Sequence, residues 1–341
     1  MLRYRLDPKK PEEAAAEIAA ALEKGSVVAP LLDGYCVLSL DPSRLVSGFG
    51  RAFKLAAGAE DVSALLPPVW SAVDTVERVT GILRLPVAAV LGGVEPWDGI
   101  ALAQEGLMQR LFEVTKQQIG VAVPDEDFTA EELVEELGQD AVLLVESGKS
   151  PGPGPAVADF RTRPAVVDRR GRLGILGLER ELGEIVRLGP DLIFSVLVVC
   201  TGNACRSPMA AGILSKMLAG ERVFICSAGT GAPNGMQATN YAVAAVGEMG
   251  VDLRLHRSQQ LDAGIIAGAD LILVMEEYHR QRVLQIAPGA ESRTRLLGES
   301  DIADPIGRSL EFYRKTAQDL KRYLEPIASD IRKRLGEEER S

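Results

Sequence analysis

Strand-like apolar runs alternate with helix-like segments along residues 194–275. The predicted elements are strands at 195–199, 222–227 and 270–275 and helices at 208–218 and 238–249. Strands separated by helices of this length predict a parallel sheet with crossover helices, because parallel neighbours need a long return connection. In such sheets ligands bind at the carboxyl ends of the strands.

The preceding residues alternate apolar and helical patterns less regularly, which predicts a mixed α/β domain. A stretch rich in glycine and proline at 149–155 predicts a loop inside this domain. The Gly-Pro break within 188–193 precedes a strong strand, so we predict domains at 1–190 and 195–341. The predicted elements of the first domain are an Ala/Glu-rich amphipathic helix within 1–25, a helix at 130–137, and strands at 26–29, 35–40, 82–91, 141–145, 165–167 and 173–176.

The formal net charge of −10 is confined to the first domain. Residues 1–193 contain 20 basic and 30 acidic side chains, whereas residues 194–341 contain 18 of each. Nucleic acids and anionic membrane surfaces repel an acidic domain. The charge therefore argues against a nucleic-acid partner and against membrane docking.

The chain offers little material for metal sites or disulfides. Its four cysteines form no CxxC pair and its two histidines are far apart in the sequence, so no metal site is expected and no cofactor is implied. His256 and His279 are expected to be structural or surface residues. No segment has the character of a signal peptide, and no run approaches ~18 apolar residues. We expect a cytoplasmic protein with reduced thiols.

The most specific feature is the segment CTGNACRSP at 200–208, between the first strand of the second domain and its helix. A cysteine and an arginine separated by five residues frame a loop whose backbone N–H groups can converge on an anion. Gly202 and Ala204 let the backbone approach a ligand, and Ser207 and Pro208 suit the N-cap and first position of the helix. The segment predicts a phosphate-sized cup.

Two residues of this cup predict phosphoryl transfer. Loop amides and the helix N-terminus stabilise the thiolate of Cys200 over its thiol, which makes it a nucleophile. Arg206 is a planar, permanently charged fork that can bind two phosphoryl oxygens into the transition state. Transfer to sulfur needs an acid for the leaving group, which can then activate water. Asp304, beside Pro305 in a rigid turn, is the candidate, and Asp301 is the alternative.

The second domain resembles the low-molecular-weight protein tyrosine phosphatase family, whose members carry a CX5R loop. The resemblance covers nearly all of residues 195–341 and implies a parallel four-stranded sheet with flanking helices. It rests on the loop at 200–208, SAGT at 227–230, GVD at 250–252, HRS at 256–258, the segment that begins with AD at 269–270 and ends with VME at 274–276, and Asp304-Pro305.

The resemblance implies Cys200 as nucleophile, Arg206 as phosphate clamp and Asp304 as general acid and base, acting on a phosphorylated protein or peptide. Ser207 is implied to donate a hydrogen bond to the thiolate. The implied phosphate-binding or loop-supporting residues are Thr201, Gly202, Asn203, Ala204, Cys205, Ser207 and Ser227. Cys205 falls where many members carry a second loop cysteine, and it is either a reversible disulfide partner of Cys200 or a packing residue.

Phosphotyrosine is the family's default substrate, and phosphoarginine is the alternative. Members acting on phosphotyrosine commonly have aromatic residues after the Asp-Pro step, where this chain has Ile306 and Gly307. The run at 304–314 looks more like the branch that includes protein arginine phosphatases, but those have a threonine where Ala204 stands. A pseudo-enzyme that only binds phosphorylated partners is a further alternative. An arsenate reductase of this fold would need two more cysteines downstream, and only Cys226 follows the loop.

The first domain resembles the YrdC-type domain of threonylcarbamoyl-adenylate synthases, which serve tRNA modification. The resemblance rests on GSVVAP at 25–30, Tyr35, Asp41-Pro42, residues 131–138 leading to 142–146, residues 148–154, and PAVVD at 164–168. The positions that contact substrate differ from the family. Leu31 and Leu32 replace hydroxyl-bearing residues, residues 122–124 replace Ser-Ala-Asn, and the Lys-x-Arg segment has no clear match near 51–54.

These differences predict a domain that kept the fold and lost the synthase activity. It would serve as a binding, regulatory or oligomerising module, with a partner that the sequence does not identify. The acidic charge supports this reading, because ATP and tRNA need cationic walls. The alternative is a bifunctional enzyme with an active synthase.

Overall fold

The computed structural model describes residues 2–5, 10–24, 27–30, 37–39, 51–56, 87–91, 99–102, 107–115, 119–123, 141–146, 156–171 and 173–336. The chain divides into two compact units. The first comprises Met1–Ile175 and Glu181–Val186, and the second comprises Leu176–Arg180 and Arg187–Ser341.

The first unit contains a sheet with both parallel and antiparallel pairs. Its described strands are β1 (Leu2–Arg5), β2 (Val27–Pro30), β3 (Val37–Ser39), β4 (Arg51–Ala56), β5 (Val87–Val90), β6 (Gly99–Leu102), β7 (Gly120–Val123), β8 (Ala141–Glu146), β9 (Ala156–Asp159) and β10 (Val166–Arg169), and its helices are α1 (Pro11–Glu23) and α2 (Leu107–Thr115). The strand order is β1-β8-β2-β3-β7-β4-β6-β5-β9-β10. Ile18 and Leu22 of α1 pack with Leu111 of α2 and Phe53 of β4 in one core.

Most strands predicted for this unit are found. The predictions at 26–29, 141–145 and 165–167 correspond to β2, β8 and β10, while β3 and β5 fall inside the runs predicted at 35–40 and 82–91. The predicted helix at 130–137 and the predicted loop at 149–155 lie outside the described residues.

The strand predicted at 173–176 is wrong, because these residues enter helix α3 (Gly174–Leu182). Ile175 and Leu178 are both buried, and their separation of three positions places them on one face of a helix. A short apolar run fits a buried strand and a buried helix equally well, so its residues alone could not decide between them.

The second unit contains a four-stranded sheet made of β12 (Phe194–Cys200), β13 (Val223–Gly229), β14 (Leu271–Val274) and β15 (Thr294–Leu296). The strand order is β13-β12-β14-β15, and each adjacent pair of strands is parallel. The sheet predicted for this domain is therefore confirmed. The unit also contains the short strand β11 (Arg187–Leu188), which is not part of this sheet. The helices are α4 (Arg206–Met217), α5 (Asn240–Gly247), α6 (Ala263–Ala267), α7 (Glu277–Ile286) and α8 (Leu310–Leu335), with a 3-10 turn at Pro288–Arg293.

Apolar packing around β12 holds this sheet together. Helix α4 packs against β12 and β13, and α8 packs against α4 and α5. Leu197 and Val199 of β12 form a core with Ile272 of β14, Ile266 of α6 and Val283 of α7. Since β12 is central and paired in register with β13 and β14, the carboxyl ends of all three strands lie at one edge.

The five elements predicted from 194 to 275 are all found, with ends shifted by up to two residues. One detail is wrong: α4 begins at Arg206 with Cys205 as its N-cap, so Ser207 is not the cap and Pro208 is not the first helical residue. Pro208 is still tolerated, because the first four N–H groups of a helix have no partner within it. Among the described residues, no helix combines the length and apolar character that crossing a membrane requires.

Candidate active site

The loop at 200–206 begins where β12 ends and is held against the end of β13. Thr230 N donates to the Cys200 carbonyl oxygen at 2.9 Å, and Gly231 N donates to the Thr201 carbonyl oxygen at 3.0 Å. A Cβ atom on Gly229 would lie 2.5 Å from the same Thr201 oxygen, so only glycine permits this close approach. The loop is therefore seated on β13 at the carboxyl edge of the sheet.

Asn203 organises the interior of the loop. Its φ is 49°, in the left-handed region that asparagine tolerates better than most residues. Its Nδ2 donates to Ser207 Oγ at 2.9 Å and to Ser227 Oγ at 2.8 Å, while its Oδ1 accepts from Gln259 N at 2.9 Å. The buried amide thus ties the loop to α4, to β13 and to the segment after residue 256.

Cys200 ends β12 with 3% of its surface exposed. Its Sγ lies 3.0 Å from Ser207 Oγ. The Ser207 hydroxyl oxygen accepts a hydrogen bond from Asn203, which leaves the hydroxyl hydrogen to be donated. The Cys200 sulfur is the nearer acceptor for that hydrogen, because the Ala228 carbonyl oxygen lies 3.5 Å from Ser207 Oγ. The structure therefore places a hydrogen-bond donor where it stabilises negative charge on the sulfur.

Arg206 is 1% exposed and has three acceptors around its guanidinium. Its Nη1 donates to a carboxylate oxygen of Glu276 and to the Ile302 carbonyl oxygen at 2.7 Å. Its Nη2 donates to Asp304 Oδ2 at 2.6 Å. A buried cation needs such partners to offset its lost hydration. One arginine and two carboxylates therefore meet beside the loop.

The two candidate aspartates occupy different environments. Asp304 contacts Arg206, and 38% of its side chain is exposed, so it is accessible to a ligand. Its position is set by the turn that follows, in which Ile306 N donates to Asp304 Oδ1 at 3.1 Å. Asp301 instead accepts from the backbone N of Glu277 at 2.8 Å, at the start of α7. The structure thus brings Asp304 to the loop and places Asp301 at a helix end.

The small residues of the loop leave room on one side. A Cβ on Gly202 would meet no atom within 4 Å, and the Ala204 carbonyl oxygen accepts from Thr239 N at 2.9 Å. The backbone at Gly202 is therefore open to approach by another group. Among the described residues, no group of three or more His, Cys, Asp and Glu side chains is placed to hold a metal ion.

Cys205 lies in a polar niche of its own. Its Sγ is 3.3 Å from Tyr313 Oη and 3.4 Å from Thr239 Oγ1. Burial raises the pKa of the Cys205 thiol, and burial together with this contact raises the pKa of Tyr313 to about 12. Both groups therefore keep their protons at neutral pH.

Both histidines support the loop. His256 Nε2 lies 2.7 Å from the Asn203 carbonyl oxygen and must be the donor there, because a carbonyl only accepts. His279 is fully buried, and its Nε2 lies 2.9 Å from Thr201 Oγ1. Burial lowers the pKa of each imidazole, so both are neutral at pH 7. The expectation of structural histidines agrees with these contacts.

No role was predicted from the sequence for Glu276, Tyr313, Thr239 or Gln259. For Glu276 a signal was available in the sequence, since it lies two residues after the end of the buried strand β14, and ligands were expected at the carboxyl ends of the strands. For Tyr313 there was none, because it lies on α8, 108 residues from the cysteine that it contacts.

Comparisons with known proteins agree on one family. Residues 195–339 match the family described as low molecular weight phosphotyrosine protein phosphatase. The chain is 38% identical over 144 residues to a probable low molecular weight protein-tyrosine-phosphatase, EpsP, of Ralstonia nicotianae, across 41% of this chain and 98% of that protein. It is 36% identical over 145 residues to a protein-arginine-phosphatase of Geobacillus stearothermophilus, across 40% of this chain and 96% of that protein.

A solved structure, Vibrio vulnificus Wzb in complex with benzylphosphonate, is 36% identical with a TM-score of 0.38, across 40% of this chain and 98% of that one. The sequence relatives are matched over nearly their whole length. Through residues 195–339, the chain belongs to the low molecular weight phosphotyrosine protein phosphatases, a family of cysteine-dependent enzymes.

Proposed function

We propose that the domain at 195–341 hydrolyses phosphotyrosine in proteins or peptides through a cysteinyl-phosphate intermediate. The observation that carries this proposal is the arrangement of one loop: Cys200 and Arg206 stand at its two ends, and the Asp304 carboxylate lies 2.6 Å from the guanidinium. These are the groups that phosphoryl transfer to sulfur requires, namely a nucleophile, a phosphate clamp and an acid.

In the first step, substrate phosphate replaces Asp304 as the acceptor on Arg206 Nη2. Asp304, released from the guanidinium, takes up a proton from solvent and becomes the acid. Cys200 Sγ then attacks phosphorus, the bond from phosphorus to the phenolic oxygen breaks, and its electron pair remains on that oxygen, which takes the proton from Asp304. In the second step, the Asp304 carboxylate removes a proton from water, whose oxygen attacks phosphorus. The bond from phosphorus to sulfur breaks with its electron pair remaining on sulfur, so inorganic phosphate leaves and the Cys200 thiolate is restored, stabilised by the Ser207 hydroxyl.

The proposal is tested with the full chain and an aryl phosphate. We expect hydrolysis with one inorganic phosphate released for each phenol. Binding of phosphotyrosyl peptide without any hydrolysis above background would contradict the proposal and favour a pseudo-enzyme.

The acid role of Asp304 predicts a dependence on the leaving group. Asp304→Asn is expected to lower kcat about 10²-fold on an unactivated phosphotyrosyl peptide, because no proton is donated to the departing oxygen. On p-nitrophenyl phosphate, whose leaving group needs little protonation, the loss is smaller. The matched control is Asp301→Asn, which keeps an acceptor for Glu277 N. Equal losses on both substrates, or equal losses in both variants, would exclude this role.

Phosphoarginine remains the second candidate substrate. The observation that favours phosphoarginine is the side chain after the Asp-Pro step. This side chain is Ile306, which is 64% exposed and has no aromatic ring to stack on the phenyl group of phosphotyrosine. A protein-arginine-phosphatase is also among the relatives, at 36% identity. Two peptides of one sequence, phosphorylated on tyrosine or on arginine, distinguish the candidates. We expect the higher kcat/KM on phosphotyrosine, and the opposite order would assign the enzyme to phosphoarginine.

We further propose that Cys205 protects the nucleophile from irreversible oxidation. Peroxide oxidises the Cys200 thiolate to a sulfenic acid, the Cys205 sulfur attacks it, and water leaves as the disulfide forms. A thiol reductant then restores both thiols. After limited peroxide treatment we expect dithiothreitol to restore most wild-type activity and little activity in Cys205→Ala. Equal recovery would leave Cys205 as a packing residue beside Tyr313.

For residues 1–190 we propose a YrdC-like domain without synthase activity. We place its boundary with the phosphatase domain within 188–193. We also propose that the protein is cytoplasmic. Several positions behind this proposal, Leu31, Leu32, Tyr35, residues 131–138 and residues 148–154, lie outside the described residues. Among the described residues, Arg51 Nη2 forms an ion pair with Asp168 Oδ2 at 2.7 Å. The ion pair engages a cation in the region where the family has its Lys-x-Arg segment. Adenylate formation by the full chain that depends on ATP, threonine and bicarbonate would establish the bifunctional alternative instead.

A further inference from the structure

A cleft of about 540 Å³ lies in the second unit, between the end of strand β15 and helix α8. This volume is within the range of small-molecule binding sites. The cleft is lined by residues 295–299 and, on α8, by Arg322, Tyr323, Pro326, Ile327 and Asp330. None of these residues belongs to the loop at 200–206 or to the side chains around Arg206, so the cleft is a separate feature of the domain.

The cleft contains a cation without a partner. In the part of the chain that the structure describes, the Arg295 guanidinium forms no hydrogen bond and no ion pair. Burial lowers the pKa of Arg295 and the nearby Arg334 cation lowers it further, although Asp330 and Glu179 act in the opposite direction. The guanidinium still stays protonated at neutral pH. Its surroundings thus disfavour a charge that cannot be lost, and a bound anion offsets this cost.

The α8 side of the cleft offers apolar surface. The Tyr323 ring, Pro326 and the largely buried Ile327 line it. Arg322 fixes the ring, because its Nη2 donates to Tyr323 Oη at 3.1 Å and its guanidinium carbon lies 4.9 Å from the ring centroid. Apolar walls with a few polar groups are typical of sites for small organic ligands.

Pro326 interrupts the regular hydrogen bonding of α8 at this wall. It lies inside the helix and has no N–H, so the Arg322 carbonyl oxygen receives no hydrogen bond from it. A proline in a helix interior destabilises the helix. This irregularity falls at the cleft, and it is a second observation, independent of the unpaired Arg295, that sets the cleft apart from the rest of the helix surface.

We propose that the cleft binds a small molecule that carries a carboxylate on a flat apolar ring system, with the carboxylate on Arg295 and the ring against Tyr323 and Pro326. A guanidinium binds a carboxylate through two parallel hydrogen bonds. Glu299 and Asp330 also line the cleft and repel a second negative charge, so a carboxylate fits better than a phosphate dianion. Because the cleft is separate from the phosphate-binding loop, both are expected to be occupied at the same time.

Gly298 links the cleft to the segment that leads to Asp304. A Cβ on Gly298 would lie 3.3 Å from Tyr323 Cε2 and 3.3 Å from Ile302 Cγ1, so its backbone packs between these side chains. The Ile302 carbonyl oxygen in turn accepts from Arg206 Nη1 at 2.7 Å. The backbone amides of Gly298 and Ile302 are therefore expected to report occupation of the cleft.

The test titrates the full chain with 2-naphthoate while inorganic phosphate fills the loop, and it follows the backbone amides by NMR. We expect saturable binding with shifts at Gly298 and Ile302. The uncharged 2-naphthamide is expected to bind about 10-fold more weakly, because it lacks the charge that pairs with Arg295. Arg295→Gln is expected to weaken naphthoate binding by the same factor and to leave naphthamide binding unchanged. The matched control is Arg282→Gln, at an exposed arginine on α7 whose Nη1 donates to Gln285 Oε1 at 3.1 Å, and it is expected to bind both probes like the wild type.

Absence of saturable naphthoate binding, equal affinities of the wild type for the two probes, or equal naphthoate affinities of Arg295→Gln and the wild type would overturn the proposal. Displacement of naphthoate by inorganic phosphate would also overturn it, because the probe would then lie in the loop. The comparison of the two probes needs only the wild type, so it decides the matter even if a variant does not fold. Since no turnover is measured, failure to hydrolyse phosphotyrosine would leave this test unaffected.

Discussion

Replacing Cys200 by serine is expected to abolish turnover, with kcat reduced by about 10⁴-fold or more. A serine hydroxyl keeps its proton at neutral pH, and the donor at Ser207 Oγ, 3.0 Å from the sulfur, cannot offset the much weaker acidity of an alcohol. Binding is expected to persist, because the loop amides and Arg206 are unchanged. The measurement is single-turnover hydrolysis of an aryl phosphate together with inhibition of peptide binding by phosphate.

The matched control for this substitution is Cys226→Ser. Cys226 is a free cysteine on β13, outside the loop, so its substitution removes a thiol without touching the cup. We expect wild-type rates from this variant. A Cys200→Ser enzyme that retains the wild-type rate would remove the cysteinyl-phosphate mechanism altogether.

Replacing Arg206 by lysine is expected to lower kcat/KM about 10³-fold, the scale on which lost transition-state contacts act in phosphoryl transfer. Lysine keeps the positive charge between Glu276 and Asp304, so both carboxylates retain a cationic partner and the fold is preserved. What lysine cannot supply is the planar fork that binds two phosphoryl oxygens at once.

The control for this second substitution is Arg254→Lys, at an exposed arginine paired with Asp252 at 2.7 Å. Thermal unfolding of both variants checks that the loss in Arg206→Lys is not a loss of fold. Arg206→Lys with an unchanged affinity for inorganic phosphate and an unchanged kcat would show that the guanidinium is not the phosphate clamp.

Prediction from sequence worked best where the signal is local. The loop from Cys200 to Arg206 spans only seven residues, and its glycine, its small residues and its place after an apolar strand are visible without a fold. The prediction of Ser207 as the N-cap was wrong, because the first residue of a helix depends on how the preceding loop closes. In the structure the Ser207 hydroxyl instead contacts Asn203 and Cys200. The strand predicted at 173–176 was wrong because the apolar run is too short to distinguish a helical from a strand periodicity.

The sequence by itself determined the parallel α/β character of the second domain and the placement of a cysteine and an arginine in one short loop after its first strand. Only the tertiary structure decided which carboxylates complete the site. Asp301 and Asp304 are alike in type and three residues apart, yet only Asp304 contacts Arg206, 98 residues away, while Asp301 supports α7. Glu276 reaches the same guanidinium across 70 residues. Such contacts depend on which strands lie side by side and in what register, and long-range packing sets both.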